Sequence, residues 1–110
     1  MPSRADMLRN FIVQRPQDPF PKYALALEHK NAGELTEAWQ VFETLLGAHP
    51  DYTATYLHAG QTLLTLGRVP EARGLFTRGI EVCTRAGDTH ARSELEGALA
   101  AVGASAPSDL

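Results

Sequence analysis

Apolar residues recur along this chain at helical spacing, and nowhere do they alternate for long enough to suggest a useful strand. Leu8, Phe11 and Ile12 share one face of a first helix. Ser3, with Asp6 three residues on, starts that helix as a carboxylate variant of the capping box, and Pro16 stops it near Arg15. Asp18 and Pro19 restart the chain as N-cap and first helical residue, and Pro21 is tolerated in the same first turn. This second helix runs to about Ala32, where Gly33 supplies the left-handed terminus. Leu35, Trp39, Phe42 and Leu46 fall at i, i+4, i+7 and i+11, the stripe of a third helix over roughly Thr36 to Ala48 that Pro50 ends. Asp51 is the expected cap of a fourth helix, about Tyr52 to Leu66, closed by Gly67. Pro70 and Glu71 open a fifth, which carries Ala72, Phe76 and Ile80 and stops near Thr84. Gly87 and Asp88 separate it from a sixth, about Thr89 to Val102, with Leu95, Leu99 and Val102 along one side and Gly103 at its end. Residues 104–110 (ASAPSDL) read as a mobile tail.

The helices are not independent. Gly33, Glu37-Ala38, Phe42 and Leu46 return 34 residues later as Gly67, Glu71-Ala72, Phe76 and Ile80. The same period carries Phe42, Leu45, Leu46 and Pro50 back to Leu8, Phe11, Ile12 and Pro16. A fixed period of this length marks a repeat architecture. The expected organisation is one all-α domain over residues 3–103, with an N-terminal capping helix (3–15), two helix pairs (19–50 and 51–84) and a closing helix (88–102). Short connections make neighbouring helices antiparallel, and stacking of the pairs supplies the core that no single pair can bury.

Composition narrows the function classes. The 110 residues are 44% hydrophobic, enough to exclude general disorder. The net charge of -3 disfavours nucleic acid as a partner, since such proteins normally carry a basic surplus. The single cysteine, Cys83, cannot form an internal disulfide, which fits a reducing compartment. The N-terminus, MPSRADMLRNF, holds no apolar run suited to a signal peptide or a membrane span. The expectation is a cytoplasmic protein without membrane or nucleic-acid partners.

The two copies resemble the tetratricopeptide repeat (TPR), whose pattern is W-x2-L-G-x2-Y, then A-x3-F, then P. The second copy reads Tyr56-x2-Ala59-Gly60-x2-Leu63 and Ala72-x3-Phe76, with Thr84 in place of the proline. The first reads Lys22-x2-Leu25-Ala26-x2-His29, Ala38-x3-Phe42 and Pro50. Ala26 or Gly60 facing Ala38 or Ala72 lets paired helices approach closely, with Phe42 and Phe76 filling the wedge beside them. In the sixth helix Glu94 falls where a small residue belongs and Gly97 where a large one does, which points to a shifted register.

The resemblance implies a right-handed stack of antiparallel pairs with a concave inner surface that binds a peptide or a partner helix. By repeat position that surface presents Phe20, Tyr23, Ala24, Leu27 and Asn31 from the second helix and Leu57, His58, Gln61, Leu64 and Thr65 from the fourth. Arg92 and Leu95 follow from the sixth. Contiguous apolar surface of this kind marks an interaction site. The competing arrangement packs Phe20, Tyr23 and Leu27 against one another or against the first helix. The family's carboxylate clamp uses two Lys, two Asn and an Arg; the matching positions here are Tyr23, Leu27, His58, Asp88 and Arg92. Only Arg92 agrees, so binding of chaperone C-terminal tails is not expected.

Candidate chemistry is sparse. His29, His49, His58 and His90 include no pair at i+3 or i+4, and His90 with Glu94 is two ligands, short of a metal site. His29 reads as a hydrogen-bonded, partly buried histidine and His58 as a polar specificity contact. Cys83 reads as an inert small residue. No phosphate-binding glycine loop or nucleophile motif is present. Gly74, Gly79 and Gly97 inside helices each cost about 1 kcal/mol against Ala, unless another element approaches closely there. The reading is a non-enzymatic protein-interaction module with no cofactor, no metal and no catalytic residues. The alternative is a structural domain that forms a homo-oligomer, such as a homodimer, through the same surface or an open end of the stack.

Overall fold

The computed structural model describes residues 2–105, the side chains of Ala104 and Ser105 excepted. Six α-helices and no strand make up that span: α1 (Arg4–Gln14), α2 (Pro19–Asn31), α3 (Leu35–Ala48), α4 (Ala54–Thr65), α5 (Val69–Ala86) and α6 (Thr89–Ser105). Capping chemistry explains half of the boundaries. At α1 the Ser3 hydroxyl accepts from Asp6 N while the Asp6 carboxylate accepts from Ser3 N, a complete capping box. Asp18 Oδ1 accepts from Phe20 N at 3.0 Å and starts α2. Asp88 does the same for α6, accepting from Ala91 N at 3.1 Å and from the Thr53 hydroxyl at 2.6 Å. Gly33, Gly67 and Gly87 take the left-handed backbone that ends α2, α4 and α5, with φ of 79°, 81° and 71°.

Three boundaries differ from the sequence expectation. α4 begins at Ala54 with Thr53 in the cap position and no side-chain cap bond, so Asp51 is not its cap. The chain first turns at Pro50–Tyr52, where Tyr52 N donates to His49 O, and this keeps Asp51 and Tyr52 out of the helix. α5 continues past Thr84 to Ala86, because no proline stands at Thr84 to stop it; the Thr84 hydroxyl instead donates to Ile80 O at 2.8 Å. α6 continues through Gly103 to Ser105, so Ala104 and Ser105 are helical; the rest of the expected mobile tail, residues 106–110, lies outside the described residues.

Each helix packs on its neighbours in sequence, with further contacts of α4 on α6 and α2 on α4. The result is a helical solenoid of 53 × 30 × 20 Å. Its main core holds Ala26, Ala38, Phe42, Tyr56, Ala59, Ala72, Phe76, Cys83 and Leu95, all fully buried. Ala26 is fully buried, and Gly60 sits at a close helix contact, where an added side chain would run into the Phe76 ring. Gly79 is the second such place, where an added Cβ would lie 2.7 Å from Tyr56 Cβ and 2.9 Å from Leu95 Cδ1. Gly74 and Gly97 face open space. A smaller cluster of Leu8, Ala24 and Leu25 ties α1 to the stack. Trp39 packs half-buried on the main core, with the Arg68 guanidinium 5.3 Å above its ring. Among the described residues no helix is long and apolar enough to cross a membrane.

Candidate functional site

The first helices of the two pairs, α2 and α4, stand side by side with α6 beyond them. Their shared surface is hollowed twice. A cleft of about 290 Å³ is lined by Tyr23 of α2, by Thr53, by Ala54, Leu57 and His58 of α4, by Asp88, and by His90, Ala91, Glu94 and Leu95 of α6. A second hollow of about 200 Å³ lies toward α1, lined by Arg4, Phe20, Tyr23, Ala24, Leu27, Glu28 and Asn31. Tyr23 borders both and makes edge-on ring contacts with Tyr52 at 5.7 Å and with His58 at 5.9 Å. Phe20 is 57% exposed, so its ring is free for contact and not folded into the core.

Beside the hollows, and joined to the cleft through His58, lies a polar contact between α2 and α4. Lys30 Nζ donates to Gln61 Oε1 at 2.7 Å and to His58 Nδ1 at 3.0 Å. An ammonium group has no acceptor, so His58 must be neutral and present its Nδ1 lone pair. Partial burial, together with the Lys30 charge, holds His58 below its ordinary value, and Glu94 opposes that shift. Burial also lowers Lys30. Tyr23 is pushed up by burial, with Tyr52 and Glu94 adding to it. Asp88, on the far rim, is held low by the Thr53 hydroxyl and the Ala91 amide.

The residues expected from repeat position divide into three groups. Phe20, Tyr23, Leu27 and Asn31 lie together on the α1 side, and Tyr23, Leu57 and His58 meet in the cleft. Gln61 joins them through Lys30, whereas Leu64 packs against the core and Thr65 is exposed with its hydroxyl donating to Gln61 O. Arg92 lines neither hollow; its Nε approaches Glu96 Oε2 at 3.4 Å. The reason is the register of α6. Its more buried positions Ala91, Leu95, Ala98 and Leu99 correspond to Thr55, Ala59, Thr62 and Leu63 of α4, two residues beyond the 34-residue period. His90 and Glu94 therefore reach the cleft in place of Arg92. Sequence reasoning passed over Lys30, although it stands three residues after Leu27 and seven after Tyr23 on the same face of α2.

The other candidates for chemistry are packed or tied. His29 is partly buried and its ring N–H faces the Glu34 carboxylate at 2.9 Å. Cys83 is fully buried and its thiol is pushed up by that burial, the opposite of an activated thiolate. The described residues contain no group of three or more His, Cys, Asp or Glu able to hold a metal ion.

No family model matches the chain, and no curated protein matches it. Solved structures do. The solution structure of a tetratricopeptide repeat domain protein from Salinibacter ruber is similar at a TM-score of 0.81 and 35% identity, over 86% of this chain and 96% of that one. A crystal structure of a tetratricopeptide repeat domain protein from the same organism gives 0.75 and 37%, over 78% and 97%. The solution structure of a protein from Bordetella parapertussis has a TM-score of 0.80 at 19% identity, over 94% of this chain and 90% of that one, which is a likeness of fold.

Proposed function

This chain belongs to the tetratricopeptide repeat family, and from that premise we propose that it is a non-enzymatic protein-interaction module. It holds a peptide segment or a partner helix on the surface of α2, α4 and α6. The observation that carries this reading is the pair of hollows joined at Tyr23, which leaves Phe20, Tyr23, Leu27 and Leu57 partly or largely exposed along one continuous surface. Complete burial of an exposed aromatic or leucine side chain is worth about 1.5–3 kcal/mol. These side chains begin partly covered, so each contributes less, roughly 1 kcal/mol or more. Three or four of them, with a polar contact, supply several kcal/mol toward association, which suits a weak, transient complex.

The test is capture from native lysate by the wild-type protein and by a Phe20→Glu, Leu57→Glu variant of equal helicity. A protein retained by wild type and lost by the variant supports the reading. The same set on both would contradict it. A second reading, self-association, is favoured by the outer face of α1, at one end of the stack. It exposes Met7 (50%), Phe11 (42%) and Val13 (78%). Pairing of two copies through this open end predicts a mass by light scattering that rises with concentration and returns to the monomer value in Phe11→Glu.

A further inference from the structure

Lys30 is an unusual cation. It is half-buried, and its two hydrogen bonds go to neutral acceptors, His58 Nδ1 and Gln61 Oε1. No carboxylate of the described residues lies within ion-pairing distance of it, and burial is the one influence that shifts its titration. The other lysine, Lys22, donates to the Pro16 carbonyl at 2.9 Å, away from this surface. An ammonium group has three N–H donors, so one remains after His58 and Gln61 are served. Those two bonds fix the side chain against α4 before any partner arrives, which lowers the ordering cost of a further contact. Tyr23 and Leu27 lie on the same face of α2, and Leu57 of α4 lines the cleft with Tyr23 and with His58, the partner of Lys30.

We propose that Lys30 is a specificity-determining residue of this surface, and that the segment bound there carries an Asp or Glu side chain, flanked by apolar residues, whose carboxylate accepts from Lys30 Nζ. The proposal rests on the reading of the α2–α4–α6 surface given above. It differs from the family's carboxylate clamp in position, since Lys30 is not among the five clamp-equivalent residues, and in the source of the carboxylate, which is a side chain and not a chain terminus. A charge-assisted hydrogen bond at a half-buried site is the type of contact that discriminates Glu from Gln, because the uncharged analogue leaves the cation uncompensated.

The experiment is selection on the wild-type protein from a random peptide library displayed internally, with no free C-terminus. The selected sequence is then made as an acetylated, amidated peptide, with a second peptide in which its acidic residue is replaced by Gln. Both are titrated against wild type, Lys30→Gln and Lys30→Arg. The selected sequences are expected to hold an acidic residue between apolar ones. The Gln peptide is expected to bind wild type roughly tenfold or more weakly, to bind Lys30→Gln as well as the acidic peptide does, and to stay weaker on Lys30→Arg. A Lys30 that served only to tie α2 to α4 would weaken both peptides alike in Lys30→Gln. Equal affinity of the two peptides for wild type overturns the proposal whether or not Lys30→Gln folds. Peptides that lose affinity for the Phe20→Glu, Leu57→Glu variant but show no acidic preference leave the surface reading standing and remove this one. Peptides indifferent to that variant, or a selection that yields none, remove both.

Discussion

Three glycines inside helices make a sharp test of how closely the helices of this solenoid approach. Gly74 and Gly97 have nothing within 4 Å of where a Cβ would stand. Gly79, on α5, would bring its Cβ within 2.7 Å of Tyr56 Cβ and 2.8 Å of Tyr56 Cγ on α4, and within 2.9 Å of Leu95 Cδ1 on α6, where ordinary contact begins at 3.4 Å. Tyr56 cannot easily give way: it is fully buried and its hydroxyl donates to Pro50 O at 2.5 Å. Replacing a helix-interior glycine by alanine returns about 0.5–1 kcal/mol of backbone propensity. Gly74→Ala and Gly97→Ala should therefore each stabilise by about that amount. Gly79→Ala gains the same but must spread two contacts at once, and overpacking of this kind costs about 1–3 kcal/mol. With Tyr56 pinned the upper part of that range applies, and the net is a loss of about 1–2 kcal/mol. The gap between Gly79→Ala and the other two is then about 2 kcal/mol, on the order of 10 °C in Tm for a chain of this size. Thermal and urea unfolding followed by circular dichroism reads it directly. Gly79→Ala unfolding at the same temperature as Gly74→Ala would refute the close packing of α4, α5 and α6, and with it the placement of Leu95 in the wall of the cleft.

The remaining predictions concern single polar groups. Thr55 Oγ1 is buried without a hydrogen-bond partner among the described residues, so Thr55→Val should stabilise by about 1 kcal/mol in urea unfolding; a loss would reveal a partner for that hydroxyl. Asp88 is held below its ordinary value of 3.8 by its bonds from Thr53 and Ala91, so its contribution is complete above that pH and is lost as pH falls through the lower, folded-state value. Asp88→Asn should flatten that part of the acid limb of stability against pH, and an unchanged limb would contradict the cap. His58 is held below 6.5 by burial and Lys30, so stability should fall as pH drops from 6.5 through the folded-state value. In an NMR titration Lys30→Gln should move His58 upward; no movement would mean that the Lys30–His58 contact does not exist in solution.

How much of this was legible in the sequence depended on whether the signal was local. The caps at Ser3, Asp18 and Asp88 and the left-handed glycines at positions 33, 67 and 87 act on the next turn of chain, and each appears where its residue type puts it. Asp51 misled because a cap residue after a proline also suits a turn, and the turn at Tyr52 prevailed. The register of α6 was not readable from the period alone, because burial of Leu95 is decided by α4 and α5, which it packs against. Gly79 looked like a weak helix position in isolation; its use lies in Tyr56 and Leu95, on two other helices. Repeat position put Tyr23, Leu57 and His58 on one face, and they line one cleft, but it did not point to Lys30, whose partners His58 and Gln61 lie 28 and 31 residues away. His90 and Glu94 reached the cleft only through the altered register.

The central claim is that the surface of α2, α4 and α6 is where this protein meets its partner. Amide hydrogen exchange of the captured complex against the free protein tests it most directly. Protection concentrated in α2, α4 and the first turns of α6, around Tyr23, Leu57, His58 and Glu94, is the result expected. Protection confined to α1 and the outer helices α3 and α5, with α2 and α4 unchanged, would contradict it.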